Sequence, residues 1–355
     1  MSEANKPPGR ETASAEEIDL IDKEFNQVTW DSCLQDDLQQ LLRLAMREDL
    51  NVLGDCTTAA LVPDSAVGQA AVVARQAGVI AGLPAAEIVL GLVDKRLRWA
   101  PCRQDGLAVQ PGDRIAHVVG PARGLLTAER LVLNLLGRLS GIASLTRKYV
   151  DAVAGTKARI FDTRKTTPGW RRLEKYAVRV GGGWNHRTGL FDAILIKDNH
   201  LALWAADRSA ATEQLPSPDS VRGAAGQGPL PGGSSRSLVE AVRKAREWIR
   251  QHVPEPDRGR MIVEIEVDTQ QQLEEALPAG PDIVLLDNMT PAELRTAVAR
   301  RDAVNPEVQL EASGGVNLDT VRAIAQSGVD RISVGALTHS AGSLDIALDW
   351  VASHP

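Results

Sequence analysis

The sequence lacks the features of a membrane protein and those of a disulfide-stabilised secreted protein. It has three cysteines, which lie far apart and form no C-x-x-C pair, and this argues against a zinc site and a disulfide framework. It has no run of about 18 apolar residues that could span a bilayer. Its first residues, MSEANKPPGRETASAEEIDL, show neither the basic start nor the apolar stretch of a secretion signal. We therefore expect a cytoplasmic protein with reduced thiols.

An excess of positive charge is also absent. Acidic residues number 46 and basic residues 40, which gives a formal net charge of −6. No overall basic field exists to attract nucleic acid or an acidic membrane surface, so we expect neither as a partner. An anionic ligand would have to bind at a local cluster of basic side chains.

The length and the hydrophobic pattern predict an α/β protein of about two domains. The chain has 355 residues, of which 43% are hydrophobic, so it can bury a large core. Residues 31–150 combine an amphipathic helix at 36–50, short β-rich runs with Pro and Gly turns, and a further helix after Thr127. This mixture predicts an N-terminal α+β sandwich domain.

Residues 151–340 predict a second domain, an incomplete α/β barrel. Six apolar segments of strand length alternate with helical segments, which is typical of βα units around a parallel sheet. Six strands suit an incomplete barrel better than a closed eight-stranded one. Thr269, Thr290 and Asn317 are the predicted N-caps of three helices. The six segments are ARIFDTRK, DAILIKDNH, MIVEIEVD, DIVLLDN, VQLEASGG and RISVGA.

Three segments lie outside this pattern. Residues 1–30 are polar and acidic, and they predict a disordered tail. Residues 205–236 are rich in Gly, Pro and Ser without apolar periodicity, which predicts a flexible insertion. Residues 341–355 are predicted to form a C-terminal helix that packs back on the N-terminal domain.

Glycines follow two of the late strands, at Ser313-Gly314-Gly315 and at Gly335. Bare glycine amides at the start of a helix can approach phosphate oxygens closely, and two adjacent late strands that end in this way are typical of the phosphate site of barrel enzymes. The alternative for one Gly-Gly pair alone is a tight turn that needs positive φ. Together the two sites favour phosphate.

Basic side chains also gather at the predicted strand ends. Arg164, Lys165, Arg187 and Lys197 occupy loop positions, and His186 precedes Arg187. Arginine binds a carboxylate or phosphate through two parallel hydrogen bonds, whereas lysine acts as a point charge. Each cation alone could be ordinary surface charge, but their recurrence at successive strand ends indicates an anion site.

Two carboxylates, Glu266 and Asp287, end neighbouring strands and are expected at the same mouth. Beside a pyrophosphate-like ligand such a pair commonly holds Mg²⁺ through water. The alternative is a salt bridge to a nearby lysine. Glu264 lies on the same strand face but deeper in the barrel, and we rank it below Glu266.

The segment TRKTTPGWRRLEKYAVRVGGGWNHRTGLFDAILIKDNH strongly resembles the core signature of the quinolinate phosphoribosyltransferases. The resemblance continues through TAERLVLNLLGRLSGIAS, VEIEVD, VLLDNM, LEASGGVN and ISVGALTHS, and it covers roughly Leu38 to Trp350. It implies a homodimer or higher homo-oligomer with a shared active site, which converts quinolinate and phosphoribosyl pyrophosphate to nicotinate mononucleotide, pyrophosphate and CO₂ in NAD synthesis. Mg²⁺ would accompany the pyrophosphate.

The resemblance also assigns roles to residues. Lys165, Glu266 and Asp287 would take part in catalysis, with the two carboxylates near the ribose and a water-bound Mg²⁺ that has no direct protein ligand. Thr163 would belong to the first anion-binding loop, and Arg130 would come from the neighbouring subunit. The cationic pocket would comprise Arg130, Arg164, Lys165, His186, Arg187 and Lys197, and the 5′-phosphate cradle Ser313, Gly314, Gly315, Val334, Gly335 and Ala336.

Two other functions remain open on the sequence. One is a nicotinate-type phosphoribosyltransferase that releases no CO₂. The other is a non-catalytic barrel that binds a phosphate-bearing metabolite. The presence of Arg164, Lys165, Glu266 and Asp287 argues against the second, because a binding protein has little need of metal-holding carboxylates opposite a second anion site.

Overall fold

The computed structural model describes residues 24–206 and 237–351, which are built around two large sheets. The first unit opens with helix α1 (Ser32–Leu50), where the Asp31 carboxylate accepts a hydrogen bond from the Leu34 amide at 2.8 Å and caps the helix. Apolar residues at every fourth position, Leu34, Leu38 and Leu42, are buried. The elements that follow are α2 (Cys56–Leu61), β1 (Val67–Ala74), β2 (Gly78–Val79), α3 (Leu83–Val93), β3 (Arg98–Pro101), β4 (Ala108–Val109), β5 (Arg114–Pro121) and α4 (Ala122–Ala152).

The N-terminal sheet is antiparallel and contains β1, β3, β5 and the last strand of the chain, β12 (Ile346–Trp350), in the order β12-β1-β5-β3. Strands β2 and β4 form a separate two-stranded sheet. Helix α4 packs against α3, β1 and β5, and it buries a long apolar face. The predicted α+β sandwich is confirmed.

The predicted C-terminal helix at 341–355 is wrong where the structure describes it. Residues 346–350 form strand β12, which pairs antiparallel with β1 from Ala74↔Ile346 to Ala70↔Trp350. The free edge of β1 offers a row of backbone hydrogen-bonding groups, and a helix could not satisfy them. An ion pair joins Arg75, the residue directly after β1, to Asp349 in β12. The segment does return to the N-terminal sheet, but as a strand.

The second sheet is parallel and has six strands in the order β6-β11-β10-β9-β8-β7. These are the six predicted segments, so the incomplete barrel is confirmed. The strands are β6 (Arg159–Phe161), β7 (Ala193–Ile196), β8 (Ile262–Val267), β9 (Ile283–Asp287), β10 (Gln309–Ser313) and β11 (Arg331–Ser333). The helices are α5 (Arg171–Val180), α6 (Asp198–Ala206), α7 (Leu238–His252), α8 (Gln270–Ala276), α9 (Pro291–Val304), α10 (Val321–Ala325) and α11 (Ala336–His339), with 3-10 turns at Asp257–Arg260 and Leu277–Ala279.

Two of the three predicted N-caps are confirmed. Thr269 and Thr290 each form a reciprocal capping box with the residue three positions later. Asn317 does not cap α10, because this helix begins at Val321 and its N-cap is Thr320. The Asn317 side chain instead accepts hydrogen bonds from the amides of Asp319 and Thr320 and closes a turn before the helix.

The predicted disordered tail at 1–30 is wrong for residues 24–30. Phe25 is buried among barrel residues, and Glu24 forms ion pairs with Arg159 and Arg331. An aromatic ring and a carboxylate with two guanidinium partners gain enough contact to order this short segment. Residues 1–23 lie outside the described residues.

The predicted insertion at 205–236 also lies outside them, apart from the last two residues of α6. Within 24–206 and 237–351, no helix combines the length and the hydropathy needed to cross a membrane.

Candidate active site

Lys197, Glu266 and Asp287 meet at the carboxyl ends of β7, β8 and β9, as predicted. Lys197 follows β7 directly, and its ammonium group forms an ion pair with the Glu266 carboxylate. Burial raises the pKa of Asp287, and the neighbouring Asp268 carboxylate raises it further. Asp287 has no ion pair with any residue in the described part of the chain. The Asp268 and Asp287 carboxylates repel each other at the ends of β8 and β9, and a bound cation would relieve this repulsion. Such oxygen donors suit water-bound Mg²⁺.

Three guanidinium groups lie close together beside this mouth. Arg164 follows β6, and Arg187 is almost fully buried in the segment that leads to β7. Burial, reinforced by the Arg164 guanidinium, lowers the pKa of both Arg171 and Arg187. The Nε of Arg164 is buried without a hydrogen-bond partner. None of the three forms an ion pair with a carboxylate within 24–206 and 237–351, so the charge of the cluster suits an anionic ligand.

A fully buried carboxylate, Asp162, holds the segment that presents His186 and Arg187. It forms an ion pair with the buried ammonium of Lys175 and accepts hydrogen bonds from Asn185 Nδ2 at 2.7 Å and the His186 amide at 2.9 Å. Lys175 Nζ also donates to the His186 carbonyl at 2.9 Å. Because every group in this network has partners, the backbone at His186 and Arg187 is fixed in place.

The glycines after β10 have the positive φ that a tight turn requires. Gly314 and Gly315 have φ of +86° and +62°, and a Cβ at Gly314 would overlap Asn288 Oδ1. Asn288 itself has a φ of +54° and donates its amide to the Ser313 carbonyl at 2.9 Å. The expected helix start is wrong here, because α10 begins only at Val321. The turn therefore brings the strand ends of β9 and β10 into close contact.

The second glycine site meets the lysine of the first anion loop. The Val334 amide donates to the Phe161 carbonyl of β6 at 2.8 Å. Gly335 is the N-cap of α11, which begins at Ala336. A Cβ at Gly335 would lie 3.0 Å from the Lys165 Cδ. The hydroxyl of Thr338 donates to the Lys165 carbonyl at 2.7 Å. Strand ends β6 and β11 thus place Lys165 over a bare backbone and the start of α11, a geometry suited to a phosphate group.

Thr163 shapes the same loop, because its hydroxyl accepts the amide of Lys165 at 3.0 Å. Arg130 does not join the cluster within one chain. It is exposed on α4 and makes no hydrogen bond or ion pair with any residue in the described ranges.

Below the mouth, the barrel interior holds a second charged group that consists of His186, Glu264, Glu311 and Arg331. His186 Nε2 lies 3.0 Å from one Glu264 oxygen and 3.5 Å from one Glu311 oxygen. Burial lowers the pKa of His186 to about 4 and raises those of Glu264 and Glu311 to about 7. His186 Nδ1 accepts the Arg187 amide at 2.8 Å, so the neutral ring carries its proton on Nε2. In this tautomer Nε2 carries a hydrogen, which leaves it no free lone pair for a metal ion, and the oxygens of Glu264 and Glu311 accept no hydrogen bond from the described residues.

The roles of several of these residues were not predicted from the sequence. Arg171 and Lys175 lie inside the signature segment, and Asp162 stands directly before it at the end of a predicted strand. Their spacing does not show that Asp162 and Lys175 are fully buried partners or that Arg171 lies beside Arg164. Glu311 and Arg331 occupy strands, where their charge argues against burial. Only the alternation of inward-facing positions along β10 and β11 could have indicated them.

Comparisons with known proteins agree with this geometry. A model of the N-terminal domain of quinolinate phosphoribosyl transferase matches residues 55–140, and a model of its C-terminal domain matches residues 142–216 and 234–349. The nicotinate-nucleotide pyrophosphorylase [carboxylating] of Mycobacterium leprae is 43% identical over 321 residues, with 89% of this chain and 98% of that protein covered. A probable enzyme of the same name from Bacillus subtilis is 38% identical over 318 residues, with 89% and 94% covered.

A solved structure shows the same fold. The nicotinate-nucleotide pyrophosphorylase from Francisella tularensis has a TM-score of 0.75 and 34% identity, and the match covers 92% of this chain and all of that one. The fold and the site define a phosphoribosyltransferase of the incomplete-barrel class. The chain belongs to the quinolinate phosphoribosyltransferase family.

Proposed function

We propose that this chain transfers the phosphoribosyl group of phosphoribosyl pyrophosphate to quinolinate and releases CO₂, which yields nicotinate mononucleotide for the de novo synthesis of NAD. The observation that supports this most strongly is the cluster of Arg164, Arg171 and Arg187, three neighbouring guanidinium groups without a carboxylate partner in the described part of the chain. A planar dicarboxylate would neutralise them and supply paired acceptors, and quinolinate has two ring carboxylates.

The second substrate would occupy the phosphate side of the mouth. Gly314, Gly315, Gly335 and the start of α11 at Ala336 would face the 5′-phosphate, and Lys165 would lie between the two substrates. The pyridine nitrogen then attacks the ribose C1′ while the bond from C1′ to pyrophosphate breaks. This substitution needs no strong general base, so catalysis depends on positioning and on electrostatic stabilisation of the oxocarbenium-like transition state.

Decarboxylation would follow from the charge on the alkylated nitrogen. The bond between ring C2 and its carboxylate breaks, CO₂ leaves, and the electron pair that remains on C2 is stabilised by the adjacent cationic nitrogen until it takes a proton from solvent. Lys165 or a neighbouring arginine would stabilise the negative charge during this step. Glu266 and Asp287 would hold Mg²⁺ through water, and the bound ion would offset the negative charge of the pyrophosphate.

We further propose a cytoplasmic homodimer or larger homo-oligomer with a shared active site, in which Arg130 completes the partner subunit's cationic pocket. Its exposed position on α4 and its lack of any partner among the described residues support this role. A domain that donates a cation across an interface would also explain why this arginine lies outside the mouth of its own barrel.

The test is product formation by the purified protein with quinolinate, phosphoribosyl pyrophosphate and Mg²⁺. We expect equal amounts of nicotinate mononucleotide and CO₂, and little product when nicotinate replaces quinolinate. Product from nicotinate alone would instead identify a non-decarboxylating enzyme, and no product from either would indicate a binding barrel.

A matched pair of arginine variants tests the dicarboxylate pocket. Arg164→Ala should lower kcat/KM for quinolinate by about a hundredfold, because a charge-assisted pair is worth about 3 kcal/mol. Arg295→Ala removes an exposed arginine on α9 and should leave the rate unchanged. Equal rates for the two variants would refute the pocket.

A further inference from the structure

Residues 24–28, here called the strap, cross the barrel at the end opposite the mouth. Glu24 forms ion pairs with Arg159 and Arg331, the first residues of β6 and β11. The ring of Phe25 is 3% exposed and packs with Ala193, among other barrel residues. Further partners of Phe25 include Ile262 and Ile283, which begin β8 and β9. The strap therefore closes the amino ends of the strands with an aromatic ring and a carboxylate.

The strap also contacts the segment that fills the gap between the two edge strands. Strands β6 and β7 are not paired, and residue Trp184 bridges β6 at Phe161 instead. Gln27 forms two hydrogen bonds with the Asn185 backbone, donating to its carbonyl at 3.1 Å and accepting its amide at 2.9 Å. The Val28 amide donates to Asn185 Oδ1 at 2.8 Å.

One residue further on, the strap supports His186. The Phe25 ring is stacked on the imidazole, with ring centroids 4.2 Å apart and an interplanar angle of 29°. His186 Nδ1 in turn accepts the amide of Arg187, whose guanidinium lies beside Arg164 at the mouth. A continuous path of direct contacts thus runs from Phe25 through His186 to the backbone of Arg187, the residue that carries a guanidinium of the dicarboxylate site.

We propose that the strap is a positioning element for the dicarboxylate pocket: by supporting Asn185 and His186 from below, Phe25 and Gln27 set the position of the Arg187 guanidinium. This inference deepens the proposed function and rests on it. Phe25 and Gln27 are positioning residues, since neither would touch substrate. The glycine site for the 5′-phosphate, at the ends of β10 and β11, has no contact with either residue.

Steady-state kinetics of the full chain test the proposal. Phe25→Ala removes the stacked ring, and Gln27→Ala removes the two hydrogen bonds to Asn185. Each should raise the KM for quinolinate about tenfold, because a small displacement of a binding group is costly. The KM for phosphoribosyl pyrophosphate and kcat should change less than about twofold. Phe25→Leu keeps an apolar side chain under the imidazole, so its KM for quinolinate should be close to that of the wild type.

Ile249→Ala is the matched control, because it truncates a buried side chain on α7, a helix outside the strap and its contacts. It should lower thermal stability without a change in either KM. If Phe25→Ala does not fold, Phe25→Leu and Gln27→Ala decide. Equal rises in both KM values, or a loss of stability alone, would overturn the positioning role. An inactive wild-type protein would instead refute the proposed function, so the two failures are distinguishable.

Discussion

Asp162 is the group whose replacement should affect the barrel most, because it is the counterion of a fully buried lysine. Both side chains of the Asp162–Lys175 pair have 0% exposure. In Asp162→Asn the ammonium of Lys175 loses its ion-pair partner and keeps the His186 carbonyl at 2.9 Å as a hydrogen-bond acceptor. Removal of one member of a buried ion pair costs about 3–5 kcal/mol, so we expect a loss of that size in the free energy of unfolding.

Urea unfolding followed by tryptophan fluorescence measures this loss. The double variant Asp162→Asn/Lys175→Met should be more stable than Asp162→Asn alone, because it leaves no unpaired buried charge. Lys157→Met breaks an ion pair whose lysine side chain is 52% exposed, and it should cost less than about 1 kcal/mol. A loss for Asp162→Asn no larger than that for Lys157→Met, or a double variant that loses the sum of the two single changes, would refute the assigned role of the buried pair.

Three further variants test other parts of the site. Gly314→Ala introduces a side chain at a φ of +86° against Asn288; it should cost about 1–3 kcal/mol of stability and raise the KM for phosphoribosyl pyrophosphate, whereas Gly259→Ala, which has open space around it, should do neither. Lys165→Ala should lower kcat by about a hundredfold or more with an unchanged melting temperature, and unchanged turnover would contradict its catalytic role. Burial raises the pKa of Glu311 from 4.5 to about 7, so the folded state holds its proton more tightly and this contribution to stability is lost as pH rises between these values. In Glu311→Gln the decrease in unfolding free energy from pH 5 to pH 8 should therefore be smaller than in the wild type by roughly 1–3 kcal/mol, and an unchanged pH dependence would refute the assignment.

The sequence predicted the features that follow from repeated local patterns. Six apolar segments with helices between them identified the barrel strands. Polar residues at the ends of those strands identified Lys197, Glu266 and Asp287, because parallel strands bring their carboxyl ends to one edge. Thr269 and Thr290 were recognisable as N-caps because capping depends on only a few neighbouring residues.

Features that depend on distant parts of the chain could not be predicted in this way. Nothing near Phe25 reveals a partner at His186, and a single aromatic residue after a polar stretch has no periodicity. The short segment of β12 became a strand because β1 offers it a free edge. Glu311 and Arg331 look like surface charges in the sequence, and their burial becomes evident only when the barrel and Glu24 bring opposite charges together.

Quinolinate labelled in the carboxylate next to the ring nitrogen would show whether this protein couples phosphoribosyl transfer to decarboxylation. Purified protein would be given this substrate with phosphoribosyl pyrophosphate and Mg²⁺, and labelled CO₂, pyrophosphate and nicotinate mononucleotide would be quantified in the same samples. We expect one CO₂ and one pyrophosphate for each nucleotide formed at every time point. Release of pyrophosphate without CO₂, or nucleotide that retains the label, would contradict this expectation.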